Sequence, residues 1–249
     1  MGSMRIQDTV AVVTGACGTV GRALAMELAK REAHGLALVD GNSEVKSLAA
    51  EVNRMAGDWV SQGFWGDLTD AGFRTRVFEQ TGERCGSVNV LVPASANGDG
   101  PSSSGGAERS RIVPVYWALE MVARIAARRE RSGLKSWNPG EPPQGMVFFI
   151  RPLSLRVHDG FGPSPACRQE WERAAIALMT RAEFHGVRCA VMLPGEAESG
   201  LARAAGLGTG RGPGTLAGPQ PNVEAIAKAI CFMIADYTES LVTSPPRNN

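Results

Sequence analysis

The chain has 249 residues, 43% of them hydrophobic and 20% charged, which suits a single α/β-sized domain over 1–249 with a substantial core. Lys and Arg number 26 against 25 Asp and Glu, so there is no basic field to favour nucleic acid or an anionic membrane as partner. Cys17, Cys85, Cys167, Cys189 and Cys231 are odd in number and contain no CxxC pair, which argues against a disulfide framework and a thiolate metal site; with no apolar stretch of signal length, a cytoplasmic setting is expected.

Apolar runs of strand length occur in chain order at 10–15 (VAVVTG), 36–40 (LALVD), 88–92 (VNVLV), 146–150 (MVFFI) and 187–193 (VRCAVML). Between them, helical patterns cover roughly 20–33, 43–56, 70–82, 112–132 and 165–185, and a last one covers 222–235, where Val223, Ile226, Ala227, Ile230 and Ile234 make one apolar face. Continuous apolar strands separated by helices predict a parallel sheet buried on both faces by right-handed crossovers, a doubly wound Rossmann-type α/β fold. Three segments read as loops: 97–107 (NGDGPSSSGGA), 137–144 (WNPGEPPQ) and 206–221, which carries six glycines and three prolines. The region 196–221 is expected to be a flap over the sheet's carboxyl edge or a plain surface linker.

The first strand runs into Thr14-Gly15-Ala16-Cys17-Gly18-Thr19-Val20-Gly21 and then a helix-forming stretch. Glycines there let the backbone approach a pyrophosphate, and the helix N-terminus offers unpaired N–H donors at its positive end. Gly15, Gly18 and Gly21 are therefore candidate cofactor contacts, and Asp40, ending the next strand, is positioned to accept from an adenosine ribose. Its charge disfavours a 2′-phosphate, so NAD is the expected cofactor rather than NADP.

These motifs resemble the short-chain dehydrogenase/reductase family over most of the chain. The turn is similar to that family's TGxxxGxG, with Thr19 at the middle glycine, and its spacing also fits the TGxxGxxG of longer members. By resemblance, Asp67 in Gly66-Asp67-Leu68 is the adenine-contacting aspartate that follows the third strand, although a helix N-cap is an equal reading of that residue. Pro194-Gly195 matches the family's PG turn, and Ser199 stands where a nicotinamide-contacting threonine is common.

Family catalysis uses an asparagine, a serine, and a tyrosine with a lysine four residues later. The run at 174–181 (AAIALMTR) resembles the family's AAxxxLTR, which places the lysine position at Arg173 and the tyrosine position at Gln169. Counting from MVFFI places the serine position at Pro152, and VPVYWALEMV places the asparagine position at Pro114. Glutamine, arginine and proline cannot perform that proton transfer near neutrality. The chain has only two tyrosines; Tyr116 is followed at +4 by Glu120 and Tyr237 by Leu241, and the only lysines are Lys30, Lys46, Lys135 and Lys228, so no Tyr-xxx-Lys pair exists. The strand-four NNAG is replaced by Pro93-Ala94-Ser95-Ala96, and Ser154 could stand in for the serine only without its base.

The resemblance therefore implies a family scaffold without family catalysis. It suggests a non-catalytic subunit that assembles with an active short-chain dehydrogenase paralog, in an NAD-dependent enzyme of hydroxyacyl or hydroxyacyl-CoA substrates. Two other readings are a repurposed cyclase, dehydratase or isomerase using His158, Asp159, Glu170 or Glu172, and an NAD-sensing module without turnover. Cys167 could face the altered pocket or pack as a small apolar residue. Trp117 and Met121, with Trp171, Ala175 and Leu178, are expected either in the helix-on-helix dimer interface the resemblance implies or in internal packing. The arginine-rich stretch 124–131 reads as a solvated helix face with paired charges, with a specific anion site as its alternative.

Overall fold

The computed structural model describes residues 5–94, 106–134, 137–138, 141, 143–150, 177–192 and 223–236. After a 3-10 turn at Ile6–Asp8 come strands β1 (Val10–Thr14), β2 (Gly35–Asp40), β3 (Ser61–Trp65), β4 (Val90–Pro93), β5 (Gly145–Ile150) and β6 (Val187–Met192). The helices are α1 (Thr19–Lys30), α2 (Val45–Ala56), α3 (Ala71–Cys85), α4 (Gly106–Arg131), α5 (helical over 177–184) and α6 (Val223–Asp236). One six-stranded sheet results, in the order β3-β2-β1-β4-β5-β6, with every pairing parallel. This is the expected doubly wound arrangement.

Alternate residues of each strand go to opposite sides, so a continuous apolar run is needed where both sides are covered. On one side, Ala11, Val13, Leu36 and Leu38 pack with Leu24 and Leu28 of α1, Leu48 of α2 and Ile230 of α6. On the other, Val10, Val12, Ala37 and Val39 pack with Phe73 and Phe78 of α3, Trp117 and Met121 of α4 and Leu178 of α5. Asn89 joins the amino ends of β1 and β4: its side-chain oxygen accepts from Val10 N at 2.8 Å and its amide donates to Asp8 O at 2.9 Å.

The third strand, SQGFW, has no apolar run, and the periodicity does not reveal it. It is an edge strand, and polar contacts stand in for burial. Ser61 N donates to Asn53 Oδ1 at 2.7 Å, Asn53 Nδ2 donates back to Ser61 O at 3.0 Å, and Ser61 Oγ donates to Ala49 O at 3.0 Å. A Cβ on Gly63 would stand 2.6 Å from Val45 O, so the glycine is what lets α2 lie this close to the strand.

Helix α4 starts at Gly106, six residues before the expected start, so the end of the stretch 97–107 is helical and not loop. Pro114 lies inside this helix and removes the donor for the carbonyl four residues earlier. The reading of Trp117 and Met121 as interface residues is corrected: they are 0% and 1% exposed within this single chain. Trp117 packs edge-on to Phe73 and tilted on Phe78, with centroids 6.4 Å and 5.8 Å away, and its indole N–H donates to Leu68 O at 3.1 Å. Trp171 and Ala175 lie outside the described residues.

Replacing Trp117 by alanine removes the largest fully buried side chain on the α3–α4 side of the sheet. It is expected to lower the unfolding free energy by about 3–5 kcal/mol in urea titration. A loss below about 1 kcal/mol would contradict its place in the core.

Candidate nucleotide-binding site

The sheet order reverses at β1, whose neighbours are β2 and β4, so the crossovers diverge above its carboxyl end and leave a crevice there. Gly15 turns the chain at φ 68°, where a side chain would be strained. Gly18 N donates back to Gly15 O at 3.1 Å, closing the turn, and Gly18 becomes the N-cap of α1 with no side-chain hydrogen bond. Neither a capping side chain nor a first-turn acid therefore occupies the amides that open α1. A Cβ on Gly21 would lie 2.3 Å from Gly15 O and 2.8 Å from Ala16 Cα, so only glycine permits this close turn over the helix. At Gly18 the corresponding approach is 3.2 Å. Thr19, the departure from the family pattern, is exposed.

Two bonds fasten the turn to β2. Ala16 N donates to Val39 O at 3.2 Å, and Cys17 N donates to Asp40 Oδ2 at 2.9 Å. The other carboxylate oxygen, Oδ1, accepts from Asn42 N at 2.9 Å. Each oxygen has a second lone pair, so the carboxylate can still accept a hydroxyl. Burial pushes the Cys17 thiol up to about 11, and the Asp40 carboxylate beside it adds to the rise. The thiol is thus a neutral group near neutrality and no nucleophile.

Asp67 occupies the loop after β3. The N-cap reading of it is corrected: the N-cap of α3 is Asp70, whose side chain accepts from Gly72 N at 2.8 Å. Asp67 instead accepts from Thr69 N and Thr69 Oγ1, each at 2.8 Å, and these bonds hold its carboxyl below the usual carboxylate range. The preceding Gly66 donates to Asp40 O at 3.1 Å, which puts the ends of β2 and β3 side by side. An aspartate immediately before the helical pattern is the sequence signal for Asp70.

Pattern reading also missed Trp65, the last residue of β3, paired in register with Asp40. Its indole N–H donates to Gly41 O at 3.1 Å, and Lys46 Nζ stands 5.8 Å from its ring centroid. No helical period marks this contact, because it joins a strand end, a loop and a helix.

Of the four positions that the sequence aligns with the family's catalytic residues, Pro114 is within α4, while Pro152, Gln169 and Arg173 lie outside the described residues. So do Ser154, His158, Asp159, Cys167, Glu170, Glu172, Pro194, Gly195, Ser199, Tyr237 and the flap 196–221. Tyr116 is 43% exposed, with the Arg74 guanidinium 5.3 Å from its ring centroid. His34 and His185 precede β2 and β6, which puts both at the amino edge, away from the turn. Among the described residues, no three His, Cys, Asp or Glu side chains are grouped to hold a metal ion, and no helix is long and apolar enough to cross a membrane.

The comparisons agree with this architecture. Residues 9–109 match the family model described as short chain dehydrogenase. A hydroxysteroid dehydrogenase from Escherichia coli superposes with a TM-score of 0.65 at 16% identity, over 94% of this chain and 92% of its own. The fold is that of the short-chain dehydrogenases. A metagenomic short-chain oxidoreductase, solved in complex with NADP, shares this fold at a TM-score of 0.59 and 18% identity, over 92% of this chain and 91% of its own. No curated protein matches the sequence. In this short-chain dehydrogenase fold, the matched segment covers β1 to β4 and so includes the glycine turn, Asp40 and Asp67.

Two measurements check the geometry of the turn. Gly21→Ala is expected to destabilise the chain by about 1–3 kcal/mol, since the new methyl meets backbone that cannot yield. Gly82→Ala, whose Cβ meets nothing within 4 Å, is expected to stabilise α3 by about 0.5–1 kcal/mol, and the opposite order in thermal unfolding would contradict the turn. For Cys17, Asp40→Asn removes a negative charge that raises the thiol's pKa, so the pKa falls and more thiolate is present at a given pH. Iodoacetamide alkylation of Cys17 at mildly alkaline pH, followed by peptide mass mapping, is expected to accelerate; an unchanged rate would assign the effect to burial alone.

Proposed function

We propose that this chain is a short-chain dehydrogenase family member that keeps a nucleotide-binding turn without the family's proton-transfer residues, and that it assembles with an active paralogous subunit. The enzyme so formed is an NAD-dependent dehydrogenase of hydroxyacyl or hydroxyacyl-CoA substrates. One observation carries the reading. The turn is complete, with free α1 amides and a carboxylate fixed beside them, while α4 continues through a proline at the asparagine position. A proline ring there offers no side-chain donor or acceptor.

The donor set fits a dinucleotide. The amides around Gly15, Gly18 and Gly21 would hold its pyrophosphate, Asp40 its ribose and Asp67 its adenine. NAD bound there would supply a hydride acceptor. A 2′-phosphate would approach the Asp40 carboxylate, a repulsion that favours NAD, and the NADP of the metagenomic neighbour belongs to that protein. The rest of the chemistry would come from the partner, because Gln169 and Arg173 replace the tyrosine and lysine and no such pair exists elsewhere in the chain. Tyr116 and Leu119 support a partner contact, being 43% and 37% exposed on the outward face of α4. Within this class the chain also resembles the inactive subunit of the 2-(hydroxy(phenyl)methyl)succinyl-CoA dehydrogenase of anaerobic toluene breakdown. That finer assignment rests on overall pattern and stands as part of the proposal.

Expression alone and together with a genetically neighbouring dehydrogenase tests it. The chain alone is expected to bind NAD in calorimetric titration and to reduce none, while the co-expressed pair elutes as one assembly and reduces NAD. NAD reduction by the chain alone would sink the proposal. Binding without assembly would favour a nucleotide-sensing module instead.

A further inference from the structure

The glycine turn lies at the carboxyl edge of the sheet, and a second concave feature lies at the opposite edge. Between α3 and α4, beside Ser87 and Val88 on the way into β4, a groove encloses about 420 Å³. Its floor is apolar: Phe78, Met121 and Ile125 are all buried. Along one wall stand Arg124, Arg128 and Arg131, spaced four and then three residues apart and so on one face of α4.

These arginines are not equivalent. Arg124 is satisfied, with Glu120 at 2.9 Å, Glu79 at 3.6 Å and its guanidinium 5.6 Å from the Phe78 ring centroid. Arg128 is partly buried, and among the described residues no carboxylate pairs with it or with Arg131. Burial, and next the charge of Arg131, hold the Arg128 guanidinium below its usual value. The negative end of α4 favours cations in its last turn. That field accounts for solvated arginines, but gives no reason for one drawn into an apolar groove, where an uncompensated charge is costly.

We propose that this groove binds a small amphipathic carboxylate, with its apolar body on Phe78, Met121 and Ile125 and its carboxylate on Arg128 and Arg131. The guanidinium fork matches a carboxylate in two-point geometry, and the anion would relieve the repulsion between the two cations. The enclosed volume lies in the range of small-molecule sites, about 300–1,000 Å³. A bare inorganic anion would leave the apolar floor unused. The site is separate from the nucleotide turn and from any partner's catalysis, so it stands or falls independently of the function proposed above.

Calorimetric titration of the full chain with octanoate, octanol and inorganic phosphate tests the assignment. Octanoate is expected to saturate one site, with octanol and phosphate each weaker by about tenfold or more. Arg128→Met combined with Arg131→Met keeps the apolar bulk and is expected to cost octanoate about tenfold or more. Equal binding of octanol, equal binding of phosphate, retained affinity in the double variant or no saturable octanoate binding would each overturn the proposal. If the double variant fails to fold, the wild-type chain decides through salt: octanoate affinity must fall as ionic strength rises, and salt-independent binding would overturn it.

Discussion

The Cys17 amide and the Ala16 amide both reach from the β1 turn to β2, one to the Asp40 carboxylate at 2.9 Å and the other to the Val39 carbonyl at 3.2 Å. These bonds decide where α1 begins. With Gly15 at positive φ and Gly21 seated against its carbonyl, α1 opens just past the carboxyl end of β1 with no side chain capping its first amides. Asp40 thus holds its own neighbours in place before any ligand arrives, and a ribose would add to an already fixed carboxylate instead of ordering a free one. The same residue's backbone carbonyl accepts from Gly66, so one strand end positions both the glycine turn and the loop that carries Asp67.

Legibility of the sequence followed burial. β1, β2, β4 and β5 are covered on both sides, so their runs are almost wholly apolar, a signal that survives without an alignment; β6, at the other edge, shows the same signal around a single Arg188. β3 lies at an edge and is held by Asn53 and Ser61, a polar clasp with no periodic trace. Its existence came only from the family-like Gly66-Asp67-Leu68 that follows it. Asp67 and Asp70 differ in role by one turn of chain, and composition treats them alike. Only the hydrogen bonds to Thr69 and Gly72 separate them. Trp117 is ambiguous for a similar reason, because the face of α4 toward α3 and its outward face, with Tyr116 and Leu119, both carry large side chains, and helical spacing does not say which one meets the sheet.

Pro114 and Trp117 sit three residues apart on α4 and have opposite effects on it. Trp117 fills the space between α3 and α4 and ties the helix to the loop that bears Asp67 through the Leu68 carbonyl. Its removal would disturb the fold and the Asp67 side of the crevice together. Pro114 does the opposite: it costs α4 a hydrogen bond, about 3 kcal/mol in a helix interior, and offers no polar group in return. That cost is tolerable because the apolar contacts of Val113, Val115 and Trp117 on either side hold the helix in place. The packing of α4 therefore does not depend on a polar side chain at position 114.

A net charge of +1 describes the whole chain and conceals its distribution. The run from Arg124 to Arg131 was read as a face of paired charges, and Arg124 fits that reading, as does Arg129 with Glu141 at 3.6 Å. Arg128 does not: the groove takes it partly out of water, and the Glu120 carboxylate that also lines the groove is paired with Arg124 instead. Composition cannot reveal such a site, since the balancing acids exist elsewhere on the surface, where screening makes them nearly irrelevant. What distinguishes Arg128 is local dielectric rather than charge count: the same guanidinium one turn further along, at Arg131, is solvated and calls for no partner on its own account.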